Sequence, residues 1–351
     1  MATNKVTTNV IDMSGNTGGL VWAKGTSAQR PTGVAGDLRL NTTDSRLEYK
    51  DNADWKRFSE GAASPSVAFQ ADFLVIAGAG GGGANHGGGG GAGGLRTSYG
   101  TSGGGGSAES KVNISLSTSY TVTVGAGGST TARFKGYNTG GPGSDSVFAT
   151  VTSTGGGYGG VGGNDQEVGG AGGAGGGGSA YANGSQAGGA GTTNQGFDGG
   201  AANSTGATDN TTGGGGGSGG VGASGTSGGF GVEGTGGLGG NGLDVSITGS
   251  TVKYAGGGNG ATNSTNPNNG GGGYQNGQKD GTANSGSGGR GGPNPGNSAL
   301  ELGAGGSGIV IVRYPNTYTI SVGSGLTSST ATDGSDKVTS FTAGTDTISF
   351  S

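Results

Sequence analysis

Cysteine is absent, proline is down to 7 residues, histidine occurs once, and charged residues make up 11% of the 351-residue chain. Without Cys there are no disulfides and no thiolate metal sites. The single histidine, His86 in "GANHGGG", excludes a His-based metal cluster. No nucleophile or orienting acid stands near it in sequence, so it reads as a structural or solvent-exposed side chain. The 17 Lys and Arg against 21 Asp and Glu give a net charge of −4 and no basic footprint, which excludes nucleic acid as a partner. No apolar run approaches the roughly 18 residues of a membrane span. The opening "MATNKVTTNVIDMSGNTGG" lacks the apolar core of a signal peptide. A soluble protein, exported if at all by some other route, is expected.

What the chain has instead is 97 glycines, with hydrophobic residues at only 28%. An apolar core over the whole length is therefore not available, and every ordered glycine costs more backbone entropy than any other residue. Such a composition falls in the low-complexity range, yet disordered segments usually pair low hydrophobicity with high net charge. Two readings remain, a flexible spacer or a packed glycine structure.

The pattern favours packing. Strand-like runs bracket the glycine: "DFLVIAGAG" at Asp72, "KVNISLSTSYTVTVGAGG" at Lys111, "SVFATVTSTGGG" at Ser146 and "VSITGSTVKYAGGG" at Val245 lead into it, and "GIVIVRYP" at Gly308 leads out. Linkers lack such recurrent apolar strands. The tracts "GGYGGVGGN", "GGAGGAGGG" and "GGLGGNGL" carry a loose period of three. Collagen would need far more Pro. The remaining three-residue helix is the polyproline-II type built from polyglycine, which has no internal hydrogen bonds and must pair with neighbours. The predicted fold class is mainly β and irregular: a short N-terminal β module, then packed polyglycine-II helices bracketed by strands, with essentially no α-helix. In this reading backbone hydrogen bonding, aided by Cα–H···O contacts, replaces side-chain burial.

Composition divides the chain into residues 1–60, an N-terminal β module; 61–313, glycine-rich; and 314–351, a Thr/Ser/Val/Ile strand segment. In the first, Pro31 pushes Arg30 and its surroundings towards an extended conformation. "DLRLN", "RLEYK" and "WKRF" alternate and are separated by the turns "NTTDS" and "DNAD", predicting a three-stranded meander. Leu38, Leu40, Leu47, Tyr49, Trp55 and Phe58 are assigned to its apolar side. A unit this small is not stable alone, so Leu38, Leu40, Tyr49, Trp55 and Phe58, together with Trp22, are the candidates for attachment and oligomerisation.

Chemistry-bearing motifs are few. Glycine fingerprints match by chance in such a chain, no helix former follows "FLVIAGAGGGG", and no GK[ST] occurs, so nucleotide binding is not supported. There is no EF-hand-type loop and no carboxylate pair in a hydrolytic context. No enzyme, no cofactor and no metal are expected. Isolated aromatics in polar inter-tract loops are more suggestive, because rings among Asn, Thr, Ser and Gly have the composition of adaptable recognition loops. "TTNQGFDGGAANSTGATDNTT" offers Phe197, Asp198, Asn203 and Asp209, and "NGATNSTNPNNGGGGYQNGQKDGTANSG" offers Asn268, Tyr274, Gln275 and Lys279. The alternative reading is that the rings plug gaps beside glycine helices.

"GTSAQRPTGVAGDLRLNTTDSRLEYKDNADWKRF" (25–58) resembles a short module common in tailed-phage fibres and other virion proteins. "FLVIAGAGGGG", "YTVTVGAGG", "GSDSVFATVTSTGGGYGG" and "GGSGIVIVRY" resemble the glycine-rich domain of phage tail-fibre proteins and adhesins. The resemblance implies a virion protein of fibre or appendage type, in which a sandwich of polyglycine-II helices presents distal loops to a host-surface glycan or protein. It implies self-association as a homotrimer, docking to other virion proteins through residues 1–60, and location on the particle's tail or another external appendage. The alternative is a purely architectural virion component, such as a capsid decoration, head appendage or collar. "DKVTSFTAGTDTISFS" (336–351) departs from the pattern: it resembles the strand pair that usually opens such a domain. It is expected to pair back onto the first strand, to complete a neighbour's sheet, or to be a leftover of modular shuffling.

Overall fold

The computed structural model describes residues 23–30, 32, 35–43, 45–57, 67–130, 132–134, 137–163, 168–181, 184–204, 210–227, 234–261, 279–292 and 302–351. Trp22 and Phe58 lie outside these residues. The chain divides into two compact units, 1–64 and 65–351.

The first unit is a four-stranded sheet in sequence order: β1 (Ala23–Gly25), β2 (Leu38–Asn41), β3 (Arg46–Lys50) and β4 (Trp55–Arg57). The last three form the meander that alternation predicts, and β1 adds a parallel edge to β2. Arg30 is extended as Pro31 requires, but Ser27–Gln29 form a single 3-10 turn, with the Gln29 side chain accepting from the Thr26 amide at 2.9 Å. Register corrects the assignment of Trp55. Leu38 pairs with Tyr49 and Leu40 with Leu47, so these four share one face, half-buried. Trp55 pairs with Lys50 and lies on the other face, where the Arg39 guanidinium stacks on its ring at 5.5 Å. That second face is polar and buried. Arg39, Asn41 and Glu48 are its most enclosed members. Glu48 accepts from both Arg30 and Asn41, at 2.8 Å from the latter, and the Arg30 hydrogen bond holds its carboxyl below the usual range.

The second unit contains the strands β5 (Phe69–Ile76), β6 (Leu95–Thr97), β7 (Val112–Ile114), β8 (Tyr120–Thr123), the hairpin β9 (Ala132–Phe134)–β10 (Tyr137–Thr139), β11 (Ser146–Phe148) and β12 (Val151–Ser153). Three hairpins follow, β13 (Ala180–Tyr181)–β14 (Gly184–Ser185), β15 (Asn203–Ser204)–β16 (Asn210–Thr211) and β17 (Leu243–Val245)–β18 (Val252–Tyr254). The chain closes with β19 (Ile309–Pro315), β20 (Ile320–Val322), β21 (Leu326–Asp333) and β22 (Asp336–Phe350). Each strand-like run read from the sequence holds one or two of these strands, although in the run from Val245 the first reaches only its opening residue. Ten of them form one sheet, β12-β11-β8-β22-β19-β5-β6, with β20 and β21 on β22 and β7 on β5.

The uninterrupted apolar runs of β5 and β19 reflect burial on both faces. Phe73, Val75, Val310 and Val312 enter a cluster with Phe69, Phe148, Tyr314, Phe341 and Phe350. Leu74, Ile76, Ile309 and Ile311 point the other way, onto Leu95, Val245, Ile247 and Tyr254. The C-terminal segment is part of this body. β22 is one 15-residue strand rather than a strand pair. Its first half lies between β19 and β21, and its second half between β8 and β20. Gly344, at φ 98°, sits where the two halves meet. The tail therefore pairs within its own chain, one strand removed from β5.

Between the strands the glycine tracts pack as three-fold helices. Gly78 and Gly81 donate to Ser144 and Gly141; Ala79 and Gly82 donate to Gly306 and Gly303; Gly80 and Gly83 donate to Gly91 and Gly88. Three neighbours are thus served in rotation, each by every third residue, at N···O distances of 2.9–3.0 Å. The next tract repeats the pattern, with Gly88 and Gly91 donating to Gly160 and Gly157, Gly89 and Ala92 to Gly213 and Gly216, and Gly90 and Gly93 to Gly289 and Gly286. The second of these pairings is parallel and the others antiparallel. A Cβ added at Gly80, Gly82 or Gly172 would overlap the backbone of a neighbouring tract. Side chains appear where a helix meets solvent, again every third residue: Thr235, Leu238 and Asn241 on one outer tract, Val221 and Ser224 on another.

Candidate functional site: the far end of the glycine lattice

Two ends of the lattice can be distinguished by hydrogen bonding. At the sheet end, Ala77 donates to Gly94, Gly94 to Thr154 and Gly308 to Gly125, each next to a strand of the large sheet. At the opposite end lies the turn between the first two tracts, Ala84-Asn85-His86, whose Asn85 and His86 adopt φ of 52° and 58°. This turn is a hub. Gly162 donates to Ala84, Ala180 to His86, Ala261 to Gly87, and Gly292 is bonded to both Gly83 and Gly87. These residues directly precede or nearly precede 164–167, 182–183, 262–278 and 293–301. The described residues that come before these segments therefore gather at one common end.

The hub's own side chains are buried. Asn85 is 4% exposed and donates from Nδ2 to the Gly162 carbonyl at 2.9 Å. His86 is 3% exposed, and burial pushes its pKa below the ordinary histidine value. His86 is thus a structural imidazole, neutral at pH 7. The only sequence signal for this hub is that "ANH" interrupts the longest glycine run.

The hairpins β13–β14 and β15–β16 stand side by side at the same end. Asn203 lies on β15, where its carbonyl accepts from Thr211 Oγ1 at 2.6 Å. Lys279 lies below the rim, its carbonyl accepting from the Arg290 amide at 3.0 Å. Asp209, Asn268, Tyr274 and Gln275 lie outside the described residues.

Phe197 and Asp198 go elsewhere. The Thr192–Asp198 stretch turns at the sheet end, where the Gln195 carbonyl accepts from Leu95. Asp198 Oδ1 accepts from the Gly191 amide at 2.8 Å, clamping that turn. The Phe197 backbone is paired to Gly217 and Gly175 within the lattice, and its ring edge lies beside Gly105. The structure therefore does not bring the predicted loop residues into one cluster. Tyr158 behaves as a gap-filler, its ring over Gly170. Among the described residues no three His, Asp or Glu gather to hold a metal ion.

In the first unit, Leu38, Leu40 and Tyr49 share the half-buried face described above, with Trp55 opposite. Nothing in their geometry beyond that face marks a site.

Comparison with known proteins is narrow. No curated protein and no solved structure matches the chain. A glycine-rich domain family matches residues 59–315, from just ahead of β5 to the end of β19. That span covers most of the chain and coincides with the strand-bracketed lattice, so the protein belongs to the glycine-rich domain family.

Proposed function

We propose that this protein is a virion structural component of tailed phage, of fibre or appendage type, whose far-end loops recognise the host surface. One observation carries the reading: the described residues before several segments of very different sequence, Gly162, Ala180, Ala261 and Gly292, gather at a single end of the lattice around the Ala84–His86 hub. Binding residues concentrate on loops held by a rigid scaffold. A lattice whose core is backbone leaves the loop sequences free to vary without altering the packing. Contacts at each copy would be weak and multiplied by several copies per particle. The first unit would attach the protein to other virion proteins and assemble it as a homotrimer through the Leu38, Leu40, Leu47 and Tyr49 face. No catalytic step belongs to this reading.

The test is adsorption competition. Purified protein, and variants with 205–209 or 262–278 replaced by Gly/Ser segments of equal length, are added to host cells before the phage. Blocking by the parent and loss of blocking in either folded variant supports the reading. No blocking by saturating, folded parent protein overturns it in favour of a purely architectural component.

A further inference from the structure

A cleft of about 680 Å³ opens on the side of the second unit near the sheet end, lined by Arg96, Gly105, Ser107, Glu109, Asn194 and Gln195 among others. It involves none of the far-end connections. Its floor is fixed by backbone. The Glu109 amide donates to Thr97 O at 2.9 Å, the Gly104 amide to Ser218 O at 2.9 Å, and the Gln195 carbonyl accepts from Leu95 at 3.0 Å. Gln195 Oε1 accepts from the Thr154 amide at 2.8 Å, which orients that side chain. Gly104, Gly105 and Asn194 all adopt positive φ, of 63°, 77° and 59°.

The polar groups in this cleft cancel in charge but not in hydrogen-bonding capacity. Arg96 grips Glu109 in a bidentate pair, at 2.8 Å from Nε and 2.6 Å from Nη2, and its Nη1 reaches Thr152 O at 3.0 Å. Three of the five guanidinium N–H groups are used, leaving donors beside the free lone pairs of the carboxylate. The side chains of Ser107, Thr193 and Asn194 make no hydrogen bond to any described residue. An anion finds the guanidinium charge already met by Glu109. A cation finds one carboxylate, already paired. An apolar ligand finds no apolar wall.

We propose that this cleft is a saccharide-binding site. A neutral polyol matches what is left. One hydroxyl of a vicinal pair accepts from the guanidinium while its neighbour donates to the carboxylate, and the amide of Asn194 reaches a third. The site stands independently of the far-end reading, because it is built from different residues.

The experiment is an amide-resolved NMR titration of the full chain with methyl glycosides of glucose, galactose, mannose and N-acetylglucosamine, and with inorganic phosphate as the charged control. At least one glycoside is expected to shift the Gly105, Gly106 and Asn194 amides with a Kd of about 1–10 mM. Asn194→Gly keeps the left-handed backbone and removes only the side chain; it should weaken that binding about tenfold. Ser107→Ala is the second variant, in an exposed segment, and should weaken it measurably. Absence of any shift at about 50 mM glycoside, or phosphate shifting the same amides as strongly, overturns the proposal. Replacement of 262–278 should leave the titration unchanged, which separates this site from the far-end loops.

Discussion

At the residue scale the governing quantity is the space where a Cβ would sit. At Gly172 an added Cβ overlaps the Gly155–Gly157 backbone, and at Gly82 that of Arg290. Neither neighbour can yield, because each is hydrogen-bonded in its turn. Gly172→Ala and Gly82→Ala should each destabilise by about 3 kcal/mol or more, at the upper end of overpacking costs. At Gly220 the nearest atom lies 3.6 Å away and φ is outside the left-handed region. Gly220→Ala should instead be neutral or stabilise by about 0.5 kcal/mol, through the unfolded chain. Chemical-denaturation midpoints of the three variants check this, and equal effects at all three would refute a close-packed glycine core.

His86 and Glu48 each contribute to the pH response. Below about pH 6.5 an unfolded chain takes up a proton on His86, while burial holds the folded imidazole neutral. Stability of the second unit should therefore fall as pH drops from about 6.5 towards the folded pKa. His86→Asn, which tolerates the same backbone conformation, should flatten that slope in urea titrations. Glu48 has the opposite partner chemistry but a similar direction. Its folded pKa is depressed, mainly by the Arg30 hydrogen bond, so its stabilisation is present above the ordinary carboxylate range and lost as pH falls through the folded value. Glu48→Gln removes the carboxylate that Arg30 and Asn41 bond and should cost the first unit about 1–3 kcal/mol.

At the element scale the C-terminal strand is central despite its position in sequence. β22 is hydrogen-bonded along both edges and contributes Phe341, Ile348 and Phe350 to the interior. A chain stopped at Ser335 should fail to fold, which limited proteolysis would show; a protease-resistant product would mean that β22 is an accessory. Arg313 ties the same region together. It bonds Asp333 at 2.7 Å and Asp336 at 2.9 Å, reaches the Ile247 carbonyl at 3.1 Å, and stacks on Tyr99. Arg313→Lys loses the fork and the stacking, so it should lower stability by about 1–3 kcal/mol in the same denaturation assay.

At the scale of the whole molecule, the lattice makes glycine rigid. In the central tracts every amide of Gly78–Gly83 and Gly87–Gly94 is donated to a neighbour, so opening one tract frees its partners' bonds as well. A single cooperative melt of the second unit should be seen by circular dichroism. Amides such as Gly80, Gly91 and Gly157 should be among the slowest to exchange with solvent. Fast exchange throughout the tracts would restore the flexible-spacer reading. The arrangement also gathers Gly162, Ala180, Ala261 and Gly292 around the Ala84–His86 turn, the end at which the adsorption test is aimed.

The sequence by itself determined the class of structure. A chain with 97 glycines and 28% hydrophobic residues cannot build an ordinary core, and strands placed at the tract borders require the tracts to be ordered between them. Period three in "GGLGGNGL" was enough to name the helix, because only a three-fold helix returns Leu238 and Asn241 to the same solvent face. What the tertiary structure alone decided is partnership. Glycine tracts have no side chains to encode which neighbour they meet, so the antiparallel and parallel pairings around Gly78–Gly94 are not legible locally. For the same reason loop composition suggested one recognition cluster, whereas the pairing sends Phe197 and Asp198 to the sheet end and Asn203 to the far end. The face on which Trp55 falls turned on a register set by a turn, since one residue of slip in a strand exchanges its two faces. Local pattern fixes helix type and strand identity; long-range backbone pairing fixes where each one goes.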